Sequence, residues 1–172
     1  MRFALMSILV LLFSAAALAA PKVGDKIHRK GLYTSQGKTG EVAMDTEIIS
    51  YDSAAKKFLV RDTINVIGSS APQVTDTLKD SSDMTSRDEV VGIISNCAQY
   101  GGNRQVLTLL GQSYDTCVLA IDNGTCKGTS WVADVPFGSL ALDISCPSQQ
   151  IDRLLLPARA DQGGELSSVW GK

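Results

Sequence analysis

Apolar and polar positions alternate along most of the chain, which is the pattern of half-buried β-strands. The pattern is clearest from Tyr114 to Cys146, where it predicts three antiparallel strands joined at Asn123-Gly124 and at Val135-Pro-Phe-Gly138. Further strands are predicted at 26–34, 41–51, 57–66, 104–110 and 151–156, with an edge strand or a loop at 73–79. The chain is therefore expected to be mainly β.

One segment has helical spacing instead. Ser86-Arg-Asp-Glu89 matches a capping box, in which the serine accepts from the amide three residues on and the glutamate reaches back. An apolar stripe follows, made of Val90, Val91, Ile93, Ile94 and Cys97, and Gly101-Gly102 ends the segment. We therefore predict an α+β fold with one principal helix near 87–99 packed on an antiparallel sheet.

The two turns set a strand register, and the register determines the cysteine pairing. If Asn123-Gly124 is a two-residue loop, Cys117 and Cys126 lie four rungs apart, roughly 13 Å at about 3.3 Å per residue. That separation is too large for a disulfide. The second turn places Cys126 opposite Cys146. The expected disulfides are therefore Cys97–Cys117, which joins the helix to the sheet, and Cys126–Cys146.

The same register assigns the two faces of the sheet. Cys117 is predicted to face Ser130, and Ile121 to face Cys126. One face is apolar and carries Cys117, Leu119, Ile121, Leu140, Leu142, Ile144 and Cys146. Trp131 falls on the opposite face, beside Thr116 and Ala141, so that this side of the sheet is less than fully polar.

The amino terminus has the features of a secretory signal peptide. Met1-Arg2 precedes an apolar run to Phe13 and a stretch of small residues, which predicts a cleaved signal peptide at 1–19. The run is shorter than the roughly 20 residues of a membrane span. We expect an exported chain, periplasmic or secreted and without a membrane span once mature, made of a single antiparallel β domain at 20–157 and a flexible polar tail at 158–172.

Composition excludes several classes of function. Without Arg2 the chain has 15 basic and 18 acidic residues, which is unlike a nucleic-acid-binding protein. The four cysteines form no Cys-x-x-Cys pair, which favours disulfides over a zinc or redox site. His28 is the only histidine, and the acidic residues before the helix lack calcium-loop spacing. We expect no enzyme activity, catalytic residue, metal or cofactor.

Three motifs resemble a pattern found in a group of uncharacterised exported bacterial proteins. They are Asn96-Cys97 followed by Tyr100-Gly-Gly102, then Gly111-x-x-Tyr-Asp-Thr-Cys117, then Trp131-x-x-Asp-Val-Pro-Phe-Gly138. That group is similar to the half-barrel of the outer-membrane lipoprotein carriers. The resemblance implies a strongly curved antiparallel sheet around a helix, with an apolar cavity. The group has no known activity that the resemblance could assign to this chain. Cys126 and Cys146 have no place in its pattern.

Two functions are compatible with these features. The first is a non-enzymatic carrier or binder of an apolar ligand, such as a lipid or acyl chain, held between helix and sheet. Its expected lining residues are Val90, Ile93, Ile94, Leu119, Ile121, Leu140, Leu142 and Ile144. The alternative is a structural or protein-interaction module of the cell envelope without a small-molecule ligand, whose partner surface would include Trp131 and Phe137.

Overall fold

The computed structural model describes residues 20–171, so the expected signal peptide lies outside the described residues. The described chain is mainly antiparallel β structure. Its strands are β1 (Lys26–Ser35), β2 (Lys38–Asp52), β3 (Lys57–Val66), β4 (Gln73–Asp80), β5 (Asn103–Leu109), β6 (Gln112–Asp122), β7 (Lys127–Val132), β8 (Ser139–Cys146), β9 (Ile151–Leu156) and β10 (Glu165–Val169). One α-helix, α1 (Arg87–Ser95), precedes a 3₁₀ turn at Cys97–Tyr100. Within residues 20–171, no helix is long and apolar enough to cross a membrane.

The strands form one open sheet. Their order is β4-β3-β2-β1-β9-β8-β7-β6-β5, and β10 pairs with β1 beside β9. The sheet does not close on itself, because β4 and β5 form its two edges. The antiparallel sheet with one helix confirms the predicted fold class, and the predicted strands at 57–66 and 151–156 match β3 and β9 residue for residue.

The predicted register between β6 and β7 is wrong by two residues. Cys117 faces Val132 rather than Ser130, because the loop contains four residues rather than two. Asn123 does not adopt the positive φ of a type I′ turn. Its side-chain oxygen instead accepts from the amides of Thr125 and Cys126, at 3.0 and 2.8 Å. A shift of two residues preserves the faces of both strands, so Trp131 stays on its predicted side, opposite Val118 and Ala141.

Both predicted disulfides are present. Strand β7 pairs with β8 in the predicted register, with Trp131 opposite Ala141 and Lys127 opposite Ser145. The next pair in this register is Cys126 and Cys146, and these cysteines are bonded with their Cα atoms 4.1 Å apart. Cys97 and Cys117 are bonded with a Cα separation of 5.4 Å. Cys97 lies in the 3₁₀ turn after α1, so this bridge ties the end of the helical segment to β6.

Helix α1 begins with the predicted capping box. The Glu89 amide donates to Ser86 Oγ at 3.2 Å, and the Ser86 amide donates to the Glu89 carboxylate at 2.6 Å. Val90 and Ile94 are buried, whereas Val91, predicted to share their stripe, is exposed. A Cβ at Gly138 would lie 3.1 Å from a Val90 methyl group, so the loop after β7 approaches the helix closely.

The core consists of two hydrophobic clusters. The first contains Ile27, Ala133, Val135 and Leu140. The second contains Ile48, Phe58, Val60 and Met84. Phe137 packs against both clusters, which makes the loop between β7 and β8 part of the interior.

The carboxy-terminal segment is not the loose polar tail that the sequence predicts. Glu165 to Val169 form β10, which pairs with residues 26–30 of β1, while β9 pairs with the other end of that strand. Leu166 packs against the first core cluster, and Ala158 is fully buried. The sequence pattern does not predict β10, because this strand has only one apolar side chain that packs against the core.

Candidate functional site

A cleft with apolar side chains lies at the amino-terminal end of the described chain. Its volume is about 460 Å³. The residues that line it are Ala20, Pro21, Lys22, Val23, Tyr51, Phe58 and Ser81. We call it the amino-terminal cleft. Tyr51 and Phe58 face each other across β2 and β3, with ring centroids 4.5 Å apart.

The two rings differ in exposure. Phe58 is buried and belongs to the second core cluster, whereas Tyr51 is 43% exposed. The aromatic pair therefore extends from the core to the surface and offers the cleft an apolar wall. Tyr51 could not be predicted as a site residue, because β2 alone does not reveal that the amino-terminal segment lies beside it.

The opposite wall is held by a buried carboxylate. Asp25 is 2% exposed and accepts from the amides of Lys22, at 2.9 Å, and Gly171, at 2.6 Å. The Gly24 amide also donates to the Ile48 carbonyl, at 2.9 Å. These bonds fix residues 22–24 against β2 and join the two ends of the described chain. The wall is thus part of the folded structure.

A second cleft lies between α1 and the sheet, and we call it the helix–sheet cleft. It has a volume of about 390 Å³. It is lined by Val91, Ile94, Ser95, Arg104, Ser113, Tyr114, Asp115, Ala133 and Asp134. Three of these, Tyr114, Asp115 and Asp134, come from the motifs that carry the resemblance. The fold therefore brings together motif residues that are separated in sequence.

Charges in the helix–sheet cleft are paired. Asp115 accepts from Arg104, which holds the pKa of Asp115 below its usual range. Asp134 accepts from Arg87 at 2.8 and 2.6 Å. Burial raises the pKa of the Tyr114 hydroxyl. This arrangement places neither a free carboxylate base nor a lowered-pKa nucleophile in the cleft.

The expected ligand-lining residues do not share one environment. Val90 and Leu140 are fully buried, and Ile94 is buried at the edge of the helix–sheet cleft. Ile93 lines a different cleft of about 320 Å³ beside Met84 and Tyr100. The remaining four, Leu119, Ile121, Leu142 and Ile144, are half-buried and line none of the clefts described above.

The two residues expected at a partner surface are both partly enclosed. Phe137 has φ of 63° and packs on both core clusters. Trp131 is half-buried, and its indole N–H is buried without a hydrogen-bond partner among the described residues. Neither ring is therefore an openly exposed aromatic side chain.

A buried arginine is the second feature that the sequence did not indicate. Arg29 is 5% exposed, and its guanidinium donates to the Ser139 carbonyl and hydroxyl at 3.1 and 3.2 Å. Burial lowers the pKa of Arg29, and the negative charge of Asp62 opposes that shift. Asp62 itself accepts from the Thr46 hydroxyl at 2.7 Å. The alternation of apolar and polar residues predicted that Arg29 lies in a strand, but it could not predict that the guanidinium group is buried.

Metal ligands are not grouped in the part of the chain that the structure describes. Within residues 20–171, no cluster of three or more histidine, cysteine, aspartate or glutamate side chains is placed to hold an ion. His28 lies on β1, with Nδ1 3.0 Å from an Asp45 carboxylate oxygen and Nε2 3.9 Å from Glu165. It links β1 to its neighbours on both sides.

Comparisons with protein-family models, curated proteins and solved structures found no match. The resemblance to the exported bacterial group and to the lipoprotein carriers therefore stays a prediction from the motifs.

Proposed function

We propose that the protein is an exported, non-enzymatic binding protein for a single-chain amphipathic ligand, with a fatty carboxylate as the ligand class. The observation that carries this proposal is the amino-terminal cleft. Its volume of about 460 Å³ lies within the range of small-molecule sites, about 300–1,000 Å³. The rings of Tyr51 and Phe58, in contact at an interplanar angle of 33°, supply apolar surface for a hydrocarbon chain.

Positive charge at this cleft supports a carboxylate head group. Lys22 lines the cleft, and among the described residues its ammonium group has no ion-pair partner. Cleavage of the predicted signal peptide before Ala20 adds an α-ammonium group at the same place, because Ala20 also lines the cleft. An apolar wall beside cationic groups matches a fatty acid better than a neutral hydrocarbon.

The space between helix and sheet is a weaker candidate for the same ligand. Val90 and Leu140, which were expected to line it, are fully buried against protein groups. A ligand touching them would need the helix to separate from the sheet, against the Cys97–Cys117 bridge. The amino-terminal cleft is open without any such movement.

We also infer that the sheet is curved and that the chain is exported. Phe137 contacts one cluster built on β1 and β8 and another built on β2 and β3, which supports a sheet curved into a half-barrel around this side chain. The two disulfides are compatible with an oxidising compartment and support export. The predicted signal peptide is the other argument for export.

The test is a calorimetric titration of the mature chain, beginning at Ala20, with dodecanoate. Tyr51→Ala should weaken binding by about tenfold or more, since loss of one apolar wall exceeds about 1.4 kcal/mol. Tyr100→Ala is the matched control, because Tyr100 is another exposed tyrosine and lies outside the cleft. Equal weakening by both variants, or no binding by the unmodified chain, would contradict the proposal.

A substitution of Lys22 tests whether the ligand has a carboxylate head group. Lys22→Met should weaken dodecanoate binding and leave binding of the neutral alcohol of equal chain length unchanged. If both ligands lose affinity equally, Lys22 acts through the shape of the wall rather than through charge. The fatty-carboxylate assignment would then be wrong, even though the cleft binds a chain.

A further inference from the structure

The apolar side chains of strand β4 lie on its solvent-exposed face rather than on the face that adjoins the core. Val74 and Leu78 are 53% and 64% exposed, and they face Thr63 and Leu59 of β3. The other face of β4 carries Thr75, Thr77 and Lys79. These polar residues face Asp62, Val60 and Phe58, on the side of β3 that contributes buried residues to the second cluster. Burial within one chain therefore does not explain the two exposed apolar side chains.

The backbone of β4 is also unpaired on one side. This strand is the last in the sheet order, so its outer row of N–H and C=O groups has no partner strand among residues 20–171. Proteins usually protect such edges, because an unpaired edge is a template for another strand. An extended strand of eight residues with exposed apolar side chains is well suited to accept one.

The sequence of β4 is symmetric about Asp76. From Gln73 to Lys79 it reads polar, apolar, threonine, aspartate, threonine, apolar, polar. If two copies pair antiparallel with Asp76 opposite Asp76, Val74 of each copy faces Leu78 of the other, and Thr75 faces Thr77. Directly opposed side chains lie on the same face, so the four exposed apolar groups would cover one another.

The central pair of aspartates is the one like-charge contact in this register. Each Asp76 already accepts two hydrogen bonds from Arg61 of its own chain, both at 2.8 Å. The pairing therefore brings together two neutralised Arg–Asp pairs rather than two free carboxylates.

The opposite edge of the sheet lacks this symmetry. Reversing β5 about Val106, which is 70% exposed, sets Arg104 against Thr108 and Gln105 against Leu107. Apolar groups there would face polar ones. A contact between β4 of one copy and β5 of another would be heterologous and would form an open polymer rather than a closed dimer.

We propose that β4 is a self-association surface through which a second copy of this chain pairs antiparallel about Asp76, forming a symmetric dimer with one continuous sheet. The apolar residues at its centre are Val74 and Leu78 of each copy. The surface is narrow, so the dimer is expected to be weak and to exchange with monomer.

Sedimentation velocity of the mature chain across a concentration series tests the proposal. The unmodified chain should reach a dimer limit, and Val74→Lys/Leu78→Lys should raise the dimer dissociation constant by about tenfold or more. Val106→Lys on the opposite edge is the matched control and should leave association unchanged. Thermal melts check that each variant is folded, which the exposure of all three positions favours.

Register is tested by cross-linking Thr75→Cys with Thr77→Cys. A mixture of these variants should form a disulfide-linked dimer faster than either variant alone, because residue 75 faces residue 77 of the other copy. A chain that stays monomeric at about 1 mM, where even a very weak interface is populated, would overturn the proposal. Dimers that persist in the double lysine variant, or that Val106→Lys abolishes, would also overturn it.

Discussion

The two ends of the sheet are stabilised in different ways. At the β5–β6 end, the Cys97–Cys117 bridge and helix α1 cover the sheet, and Cys117 is fully buried. At the β3–β4 end there is no disulfide, and β4 is exposed along almost its whole length. The first end is fixed covalently by a buried disulfide, although its edge strand β5 is mostly exposed as well. The second leaves backbone and apolar side chains accessible, and the amino-terminal cleft lies beside its strands β2 and β3.

Among changes that test this difference between the two ends, removing the buried disulfide should reduce the free energy of unfolding strongly. Each bridge joins cysteines 20 residues apart, worth about 3 kcal/mol in the chain-entropy model. Cys97→Ala/Cys117→Ala should cost more than Cys126→Ala/Cys146→Ala, because both sulfurs of the first bridge are buried whereas Cys126 is half-buried. Urea unfolding of both double variants measures this. A larger loss for the second pair would contradict the distinction between the ends.

The core under the helix should show an effect of comparable size. Ile94→Ala should reduce the free energy of unfolding by about 2–5 kcal/mol, because Ile94 is buried. Val74→Ala removes an exposed apolar side chain at the other end and should change it by less than about 0.5 kcal/mol in the monomer. Chemical denaturation at low protein concentration compares the two variants. Equal losses would mean that the helix is not packed as described.

A smaller effect is expected at the start of the helix. Ser86→Ala removes the oxygen that accepts from the Glu89 amide and should cost about 1 kcal/mol. Ser82→Ala, in the preceding 3₁₀ turn, is a control because that turn has no side-chain cap. Thermal unfolding of the two variants should differ. If they lose stability equally, the capping box does not stabilise α1.

The smallest effect is expected at a surface ion pair, and it should depend on pH. The two hydrogen bonds from Arg153 lower the pKa of Asp143, so the charged carboxylate is favoured in the folded chain. Its contribution is complete above the unfolded pKa of about 4 and is lost as pH falls through the lower folded value. Asp143→Asn should cost about 0.5 kcal/mol at pH 7, and the difference should disappear in acid. A difference that grows below pH 4 would have the wrong sign.

Local patterns predicted strands, the helix cap and cysteine pairing well. Alternation in 57–66 identified β3, and Ser86 with Glu89 identified the helix start, because both signals depend on neighbouring residues. The disulfide pairing was correct even though the β6–β7 register was not. In the observed register Cys117 faces Val132, which is still farther along β7 from Cys126.

Features set by distant residues could not be predicted. The Asn123 side chain competes for backbone amides and lengthens the loop, which a dipeptide rule does not include. Strand β10 forms because part of the β1 edge is left free by β9. The burial of Arg29 and the position of Tyr51 beside Val23 depend on contacts across the fold, so neither candidate feature was visible in the sequence.

Native mass spectrometry of the mature chain recovered from the cell envelope of its host tests the ligand proposal most directly. We predict a protein with two disulfides that carries a fatty-carboxylate adduct, and Tyr51→Ala recovered in the same way should lose it while Tyr100→Ala retains it. A ligand-free chain that also fails to take up added dodecanoate would contradict the account.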